Sequence, residues 1–362
     1  MRKARGLRYR IVLKFAAAIL LAAGLALLVG GALANDSVTT DDSTDLYWPA
    51  PPEKARIKFV RSITSPNDLK LKRSSLFKRI IKKIVGIDES DSAMVTPYGI
   101  TTDSRNRIIV ADSKLRLIHV FDPEQKKYFN IKQPKGEMFV SLVGLAVDRD
   151  DNIYVSDSYT GKIHVFDQNG KFVRRLGPDE GQFDRPTGIA IDKDHNRLYV
   201  VETRIGRVEV LNLAGQEIFK FGKRGYADGE FNFPTQICLK GDRVYVTDTL
   251  NARVQIFDTD GNFIAKLGRR GDAAGDFEKP KGVAIDSEGH IYVVEGLHDL
   301  IDIFDQDGNL LLTFGGTGSR RGEFYLPTAI HIDDQDNVYV SDSYNRRVQV
   351  FKYLKDSSLA GK

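Results

Sequence analysis

Short apolar runs separated by polar turns fill most of the chain after residue 97. The clearest stretch is 326–351, LPTAIHIDDQDNVYVSDSYNRRVQVF, where an Asp/Asn turn and a polar loop separate three apolar runs. Asp and Asn favour turns because their side chains hydrogen-bond the neighbouring backbone. Runs this short, bounded by turn residues, predict antiparallel β-strands.

This pattern occurs six times. A fourth apolar run follows in most copies, after dipeptides such as Asn169-Gly170 and Asp307-Gly308 that suit two-residue hairpins because glycine accepts positive φ. The copies begin at Pro97, Val143, Pro186, Pro234, Pro280 and Pro327. Four short strands per ~40–50 residues is typical of propeller blades. The sequence therefore predicts an all-β fold, a six-bladed β-propeller of four-stranded antiparallel blades, with strands a to d counted outward from the axis.

The sixth copy lacks a fourth strand after Arg347–Phe351. Far upstream, residues 54–63 alternate polar and apolar positions like a strand without a partner. We expect Ile57–Ile63 to complete the sixth blade, because joining the two ends of the chain closes the ring and removes exposed sheet edges.

The motifs shared by the copies are Pro-x-Gly-Ile-Ala-Ile-Asp, Tyr-Val-x-Asp, Arg-Val-x-Val-Phe and Phe-Gly-x-x-Gly-x-x-x-Gly-x-Phe. Over about Pro97–Phe351 they resemble the NHL repeat, although Gln236 and Ala329 replace the glycine of strand a. The resemblance implies a six-bladed propeller. It leaves the activity open, because some NHL-type propellers bind RNA and some six-bladed relatives are lyases or lactonases with a metal at the axis.

The N-terminus carries the excess positive charge. The formal charge of the chain is +4, and residues 1–34 hold Arg2, Lys3, Arg5, Arg8, Arg10 and Lys14 but no acid. The basic balance therefore gives no indication of nucleic-acid binding. Residues 15–34 are uncharged and end in Ala32-Leu33-Ala34, which indicates either a cleaved signal peptide or a membrane anchor. Both interpretations predict an exported protein, periplasmic or otherwise extracytoplasmic, and the anchor interpretation also predicts that residues 15–34 hold it at the inner membrane.

The predicted organisation is a leader over 1–34, a linker over 35–53, the propeller over 54–356 and a tail over 357–362. Within the propeller, residues 69–87 interrupt the β pattern with apolar residues at helical spacing among many lysines and arginines. This predicts an amphipathic helix, either lying on an anionic membrane surface or packed across a propeller face. Trp48, the single tryptophan, is expected to dock on the propeller wall.

An acidic residue follows strand b in every copy. This acid column consists of Asp112, Asp157, Glu202, Asp248, Glu295 and Asp342. Because the acid recurs in each blade, we expect it to organise loops rather than to bind a metal. A polar slot on strand c is expected to face solvent; it holds His119, His164, Glu209, Gln255, Asp302 and Gln349. The sequence predicts no catalytic residue, no cofactor and no metal cage.

His331 differs from its counterparts on strand a, which are Thr101, Ala146, Ala190, Cys238 and Ala284. It places a large polar group in a small slot beside the axis. A core histidine with its hydrogen bonds satisfied is one interpretation. A metal-dependent lyase or hydrolase using His331 in the axial channel is the alternative. Cys238, the single cysteine, is expected to be buried and inert.

The b–c and d–a loops should emerge at the same end of the propeller. They carry the predicted binding residues Arg204, Arg224, Arg269, Arg270, Arg320, Arg321, Tyr226 and Tyr344. Arginine and tyrosine on rigidly held loops suit recognition of anionic or aromatic partners. We therefore predict an exported, non-catalytic binding scaffold for a protein, peptide or glycan, with no nucleic-acid partner and with membrane-surface contact through residues 69–87 as a further hypothesis.

Overall fold

The computed structural model describes residues 45–70, 93–177 and 183–355. Apart from 3₁₀ turns at Pro66–Leu69 and Thr249–Asn251, the regular structure in these ranges consists of β-strands. None of their helices is long and apolar enough to cross a bilayer. The predicted leader and the predicted helix from residue 71 onward lie outside the described residues, and Leu69 ends the first 3₁₀ turn.

Six antiparallel sheets confirm the predicted blades. Blade 1 contains β3 (Pro97–Thr102), β4 (Ile108–Asp112), β5 (Leu117–Asp122) and β6 (Lys127–Lys132). Blade 2 contains β7 (Leu142–Val147), β8 (Ile153–Asp157), β9 (Lys162–Phe166) and β10 (Phe172–Leu176). Blade 3 contains β11 (Pro186–Asp192), β12 (Arg197–Glu202), β13 (Arg207–Asn212) and β14 (Glu217–Phe221).

The other three blades repeat this order. Blade 4 contains β15 (Pro234–Lys240), β16 (Arg243–Asp248), β17 (Arg253–Asp258) and β18 (Phe263–Leu267). Blade 5 contains β19 (Pro280–Ile285), β20 (Ile291–Glu295), β21 (Leu300–Phe304) and β22 (Leu310–Gly315). Blade 6 contains β23 (Pro327–Ile332), β24 (Asn337–Asp342), β25 (Arg347–Tyr353), β2 (Ile57–Ile63) and the short β1 (Tyr47–Trp48).

The ring closes as predicted. Strand β2 pairs antiparallel with β25, with Ile57 opposite Tyr353 and Ile63 opposite Val348. At the axis each inner strand contacts the next, and the contact between β23 and β3 joins the sixth blade to the first. The last blade is thus built from both ends of the propeller sequence.

Strand β1 adds a fifth strand to blade 6 within the segment assigned to the linker. Tyr47 and Trp48 pair with Lys58 and Ile57. The Trp48 ring lies 5.7 Å from the Phe314 ring and 5.7 Å from the Phe351 ring, which confirms that it docks on the propeller wall. The aromatic contacts fasten β1 to blades 5 and 6.

The core lies between blades. Each cluster of buried side chains is shared by neighbouring sheets, as where Tyr292 and Ile301 of blade 5 meet Val338 and Phe351 of blade 6. Strand b is almost wholly buried because both of its faces are covered by adjacent blades. The ends of the blades are therefore the parts left for function. We call the end with the b–c and d–a loops the loop face, and the end with the a–b and c–d turns the turn face.

Candidate functional site

The acid column fixes the loop face, which confirms its predicted role. In blade 1 the Asp112 carboxylate accepts the backbone N–H groups of Val95 at 2.6 Å and Leu115 at 2.9 Å. In blade 2 Asp157 does the same for Val140 at 2.7 Å and for the loop that follows strand b. Each of these two carboxylates thus holds the end of one d–a loop and the start of one b–c loop. These acids are buried and committed to backbone donors.

The polar slot on strand c is buried, so the expectation that it faces solvent is wrong. Gln255 and Gln349 are each 0% exposed. The Gln349 side chain accepts the Gly322 N–H at 2.9 Å and donates to the Glu323 carbonyl at 2.6 Å. Alternation along strand c places these residues on the polar side of the strand. The d–a loop folds over that polar side and buries it.

Arginines at the start of strand c complete the loop clamps. Arg347 pairs with Asp342 at 2.7 Å and donates to the Arg320 and Glu323 carbonyls at 2.8 Å each. Arg253 holds the equivalent loop of blade 4 through the Ala227 and Glu230 carbonyls. The loops that carry the predicted binding residues are therefore rigid where these clamps exist.

Most of the predicted arginines lie exposed on these loops and are engaged locally. Arg204 pairs with Asp184 at 2.6 Å, and Arg269 pairs with Asp276 at 2.9 Å. Arg320 lies 3.8 Å from Glu323. Their guanidinium groups remain largely open to solvent, so a partner can bind them without burying an unpaired charge.

The other three arginines use backbone or ring contacts. Arg270 donates to the Leu250 carbonyl at 2.9 Å, which ties a d–a loop to the b–c loop of blade 4. Arg224 lies 5.8 Å from the Phe233 ring centre. Arg321 is part-buried over Phe59 of the closing strand, 5.7 Å from its ring centre, and is thus the candidate that packs on the outer wall.

Tyrosines give the loop face its exposed aromatic surface. Tyr226 is 78% exposed, Tyr344 is 67% exposed, and Tyr159 of blade 2 is 75% exposed. The rings of Tyr325 and Tyr344 lie 4.5 Å apart, which forms a two-ring platform between a d–a loop and a b–c loop. Exposed tyrosines on a fixed backbone offer large contact area at a low entropic cost.

Three residues that the sequence interpretation missed lie near the centre of this face. Tyr98 of blade 1 and Lys281 of blade 5 occupy the second position of their inner strands, and Arg185 precedes the inner strand of blade 3. Arg185 acts electrostatically on both the Tyr98 hydroxyl and the Lys281 ammonium. Because the three blades alternate around the ring, these side chains interact across the axis. An alignment of the six repeats could have identified Tyr98 and Lys281, because the other inner strands have Val or Thr at the same position.

Lys281 is the least compensated of these groups. Burial lowers the pKa of its ammonium, Lys279 and Arg185 lower it further, and Glu295 opposes them. The Glu295 carboxylate is itself occupied by the backbone N–H groups of Glu278 and Lys279. Among the described residues no side chain forms a hydrogen bond or ion pair with the Lys281 ammonium, although Thr247 donates to the Lys281 carbonyl at 2.9 Å. An anionic group of a ligand would supply the missing partner.

An axial cavity of about 470 Å³ lies between the inner strands, and His331 is part of its wall. The His331 Nε2 atom lies 2.8 Å from the Thr102 hydroxyl. Burial lowers the pKa of His331 to about 4, Asp333 opposes the shift and Lys193 adds to it. The imidazole is therefore neutral at pH 7. Over the described residues, no group of three or more His, Cys, Asp or Glu side chains is placed to hold a metal ion.

Comparison with protein families agrees with this geometry. A family described as a 6-bladed beta-propeller matches residues 135–219 and 227–301, and the NHL repeat matches residues 324–351. The fold and these matches define the class as a six-bladed β-propeller. The NHL-repeat match falls on the sixth blade of this propeller. No curated protein matches the sequence.

Solved structures share the fold at low sequence identity. An auxiliary nutrient binding protein from Bacteroides thetaiotaomicron has a TM-score of 0.58 and 13% identity, over 74% of this chain and 71% of that one. A streptogramin B lyase has a TM-score of 0.55 and 15% identity, over 72% of this chain and 94% of that one. Virginiamycin B lyase from Staphylococcus aureus has a TM-score of 0.55 and 12% identity, over 82% of this chain and 100% of that one. At such identities the likeness establishes the architecture alone.

Proposed function

We propose that the protein is an exported binding scaffold that recognises a protein, peptide or glycan through its loop face. The observation that carries this proposal is the half-buried Lys281 ammonium near the axis, which has no side-chain partner in the described part of the chain. It lies on the loop face, which also carries the exposed Tyr226 and Tyr344. Binding hot spots combine such anchors with a rigid rim. The charge at the centre favours an acidic group on the partner.

Rigid presentation supports recognition rather than catalysis at this face. The acid column is buried and accepts backbone donors, so these carboxylates are already used as structural acceptors. The Arg253 and Arg347 clamps hold the loops in place before a partner arrives. Preorganised loops lose little conformational entropy on binding. Export rests on the leader predicted over residues 1–34.

A direct test uses the full-length protein on an acidic-peptide library and a glycan array. We expect binders whose affinity falls about tenfold in a variant with Arg224→Ala, Arg269→Ala and Arg320→Ala. A separate Lys281→Gln variant should also bind about tenfold more weakly than the native protein. The matched control removes three cations from the turn-face side of the blades, through Lys127→Ala, Arg149→Ala and Lys171→Ala. Equal losses in both triple variants would assign the binding to net charge and remove the role of the loop face.

The second candidate is a lyase or hydrolase in the axial channel that uses a metal near His331. It is favoured by the neutral imidazole in the cavity wall, because neutral histidine is the form that binds metals. Metal analysis of the purified protein separates the two functions. A stoichiometric ion that is lost in His331→Ala would support the enzyme, whereas equal metal content in both proteins would remove this candidate.

A further inference from the structure

Pairs of hydroxyl groups join neighbouring blades at the loop-face end of the axis. In blade 3 the Thr187 and Thr203 hydroxyls lie 2.7 Å apart, and Thr203 donates to the Pro234 carbonyl of blade 4 at 2.7 Å. Blades 4 and 6 have the same arrangement, in the pairs Thr235 with Thr249 and Thr328 with Ser343. One hydroxyl of each pair belongs to the second position of the inner strand and the other to the b–c loop. These polar groups are therefore satisfied within the fold.

Blade 5 has neither member of this pair. Lys281 takes the second position of its inner strand, and Gly296 takes the b–c loop position where the other blades have serine or threonine. A Cβ atom added to Gly296 would lie 2.7 Å from Cγ of Lys281 and 3.5 Å from its Cε. The lysine stem therefore runs through the space that a side chain at position 296 would need.

The Lys281 ammonium lacks a partner at this position. It is part-buried, and among the described residues no side chain forms a hydrogen bond or ion pair with it. The groups that act on it electrostatically are the cations Lys279 and Arg185 and the carboxylate of Glu295. That carboxylate already accepts the backbone N–H groups of Glu278 and Lys279. An anion from a ligand would thus compensate a part-buried charge that the described residues leave unpaired.

The adjacent carboxylates in the chain have partners of their own. Glu278 lies 3.6 Å from His298. Asp184, which precedes Arg185, pairs with Arg204 at 2.6 Å. Arg185 and Lys279 are exposed and form no ion pair with a described residue. The unpaired charge that the described residues place at this end of the axis is therefore positive.

Three hydrogen-bond donors lie near the axis on alternate blades. Besides Lys281 of blade 5, they are the Tyr98 hydroxyl of blade 1 and the Arg185 guanidinium before blade 3, and Arg185 acts electrostatically on the other two groups. The Tyr98 hydroxyl and the Arg185 guanidinium form no hydrogen bond within the described ranges. Because blades 1, 3 and 5 alternate around the ring, the donors approach from three directions. A phosphate or sulfate monoester presents three terminal oxygens in such an arrangement, whereas a carboxylate presents two oxygens in one plane.

We propose that the loop-face end of the axis is a binding site for a phosphate or sulfate monoester group, whose terminal oxygens accept hydrogen bonds from Lys281, Arg185 and Tyr98. The Lys281–Gly296 pair is the feature of blade 5 that creates the site. This inference rests on the recognition proposed for the loop face and names the chemical group that the partner presents there.

The first test compares three anions that share a phenyl ring, namely phenyl phosphate, phenyl sulfate and benzoate, by calorimetric titration of the full-length protein. We expect saturable binding of one ester molecule per chain, with benzoate at least tenfold weaker. The tighter of the two esters identifies the natural source of the group. Equal affinity for benzoate, or no saturable binding of either ester, would overturn the proposal.

The matched variant is Lys281→Thr with Gly296→Ser, because it gives blade 5 the pair that blade 6 has in Thr328 and Ser343. It should fold with an unchanged urea midpoint and bind the ester about tenfold more weakly. Gly296→Ser alone keeps every charge but displaces the lysine stem, and should weaken binding at least threefold. The control Lys240→Gln removes one cation at the turn face and should have no effect. Native affinity in either blade 5 variant would contradict the assignment.

Acetylation of Lys281 provides a second readout. Burial lowers the pKa of its ammonium, which leaves more of the reactive neutral amine at a given pH. A saturating phenyl ester should slow acetylation of Lys281 by acetic anhydride at least fivefold, as measured by peptide mass spectrometry, and leave Lys240 unchanged. Ester binding with unaltered acetylation of Lys281 would place the anion elsewhere and overturn the proposal.

Failure of this inference differs from failure of loop-face recognition. Peptide or glycan binders that depend on Arg224, Arg269 and Arg320, together with no ester binding, would keep the recognition and overturn the phosphate or sulfate assignment. Ester binding that depends on Lys281, together with no peptide or glycan binder, would support this site and overturn recognition of a macromolecule.

Discussion

Single glycines on the inner strands are required for space. Gly99, Gly144 and Gly188 lie where a Cβ atom would come within 2.1, 2.2 and 2.6 Å of backbone atoms of the next blade. Real Cβ atoms do not approach backbone this closely, so a larger residue must push two blades apart. The glycine that recurs in four of the six blades thus sets the spacing of the inner strands.

Gly99→Ala should therefore destabilise the protein by about 1–3 kcal/mol through overpacking at the axis. Gly177→Ala is the matched control, because the nearest atom to its added Cβ would be 3.9 Å away. The control should change the free energy of unfolding by less than about 0.5 kcal/mol. Urea unfolding of both variants measures the difference, and equal effects would contradict close packing of the inner strands.

A buried carboxyl pair in blade 3 makes stability depend on pH. Burial raises the pKa of Glu209 to about 7, and the nearby Glu202 carboxylate raises it further while Arg207 opposes the shift. Glu217 also contributes a raising effect. Because the folded state binds this proton more tightly than the unfolded state, the stability contributed by the group is present below its unfolded pKa and is lost as the pH rises toward 7.

Glu209→Gln should stabilise the protein at pH 8 by roughly 1 kcal/mol, because it removes the buried negative charge. Near pH 4 the variant and the native protein should be equally stable. Unfolding free energies measured in urea at pH 4, 5, 6, 7 and 8 give the difference curve. A variant that is less stable at pH 8 would show that Glu209 acts as a favourable ion-pair partner of Arg207.

At the scale of elements, the d–a loops are alike in shape but differ in how they are held. Parallel bridges join Arg224 to Phe231, Arg270 to Phe277 and Thr317 to Phe324. The first and third of these loops are clamped by arginine and glutamine of the next blade. Blade 5 has Leu300 and Asp302 at the clamp positions, so the loop from Gly268 to Phe277 lacks this support.

The Gly229 and Gly322 N–H groups donate hydrogen bonds to the side chains of Gln255 and Gln349. The Gly275 amide should therefore exchange with deuterium about tenfold faster than these two amides. Gln349→Leu should raise the exchange rate at Gly322 to that of Gly275 and leave Gly229 unchanged. Peptide-resolved exchange mass spectrometry reads all three positions. Equal exchange at the three glycines in the native protein would show that the clamps do not rigidify the loops.

The repeat made the strands and the ring closure predictable from sequence. Period, turn dipeptides and the missing fourth strand located every blade, including the pairing of Ile57–Ile63 with the last one. The burial of Gln255 and Gln349 was not predictable from alternation, because it depends on a loop folding back from the preceding blade. The convergence of Tyr98, Arg185 and Lys281 depends on the six-fold arrangement, which places distant blades face to face across the axis.

At the scale of the whole molecule, ring closure produces two unlike ends. The loop face combines clamped loops, exposed tyrosines and the uncompensated Lys281. The turn face carries the a–b turns that line one end of the axial cavity, with charged residues of both signs.

Hydrogen–deuterium exchange of the full-length protein, with and without its tightest binder from the peptide library or glycan array, tests the central claim most directly. Loop-face recognition requires protection in the d–a and b–c loops, above all in residues 222–231, 249–252, 315–326 and 343–346, with the a–b and c–d turns unchanged. Protection confined to the a–b and c–d turns, with unaltered exchange in those loops, would contradict the account.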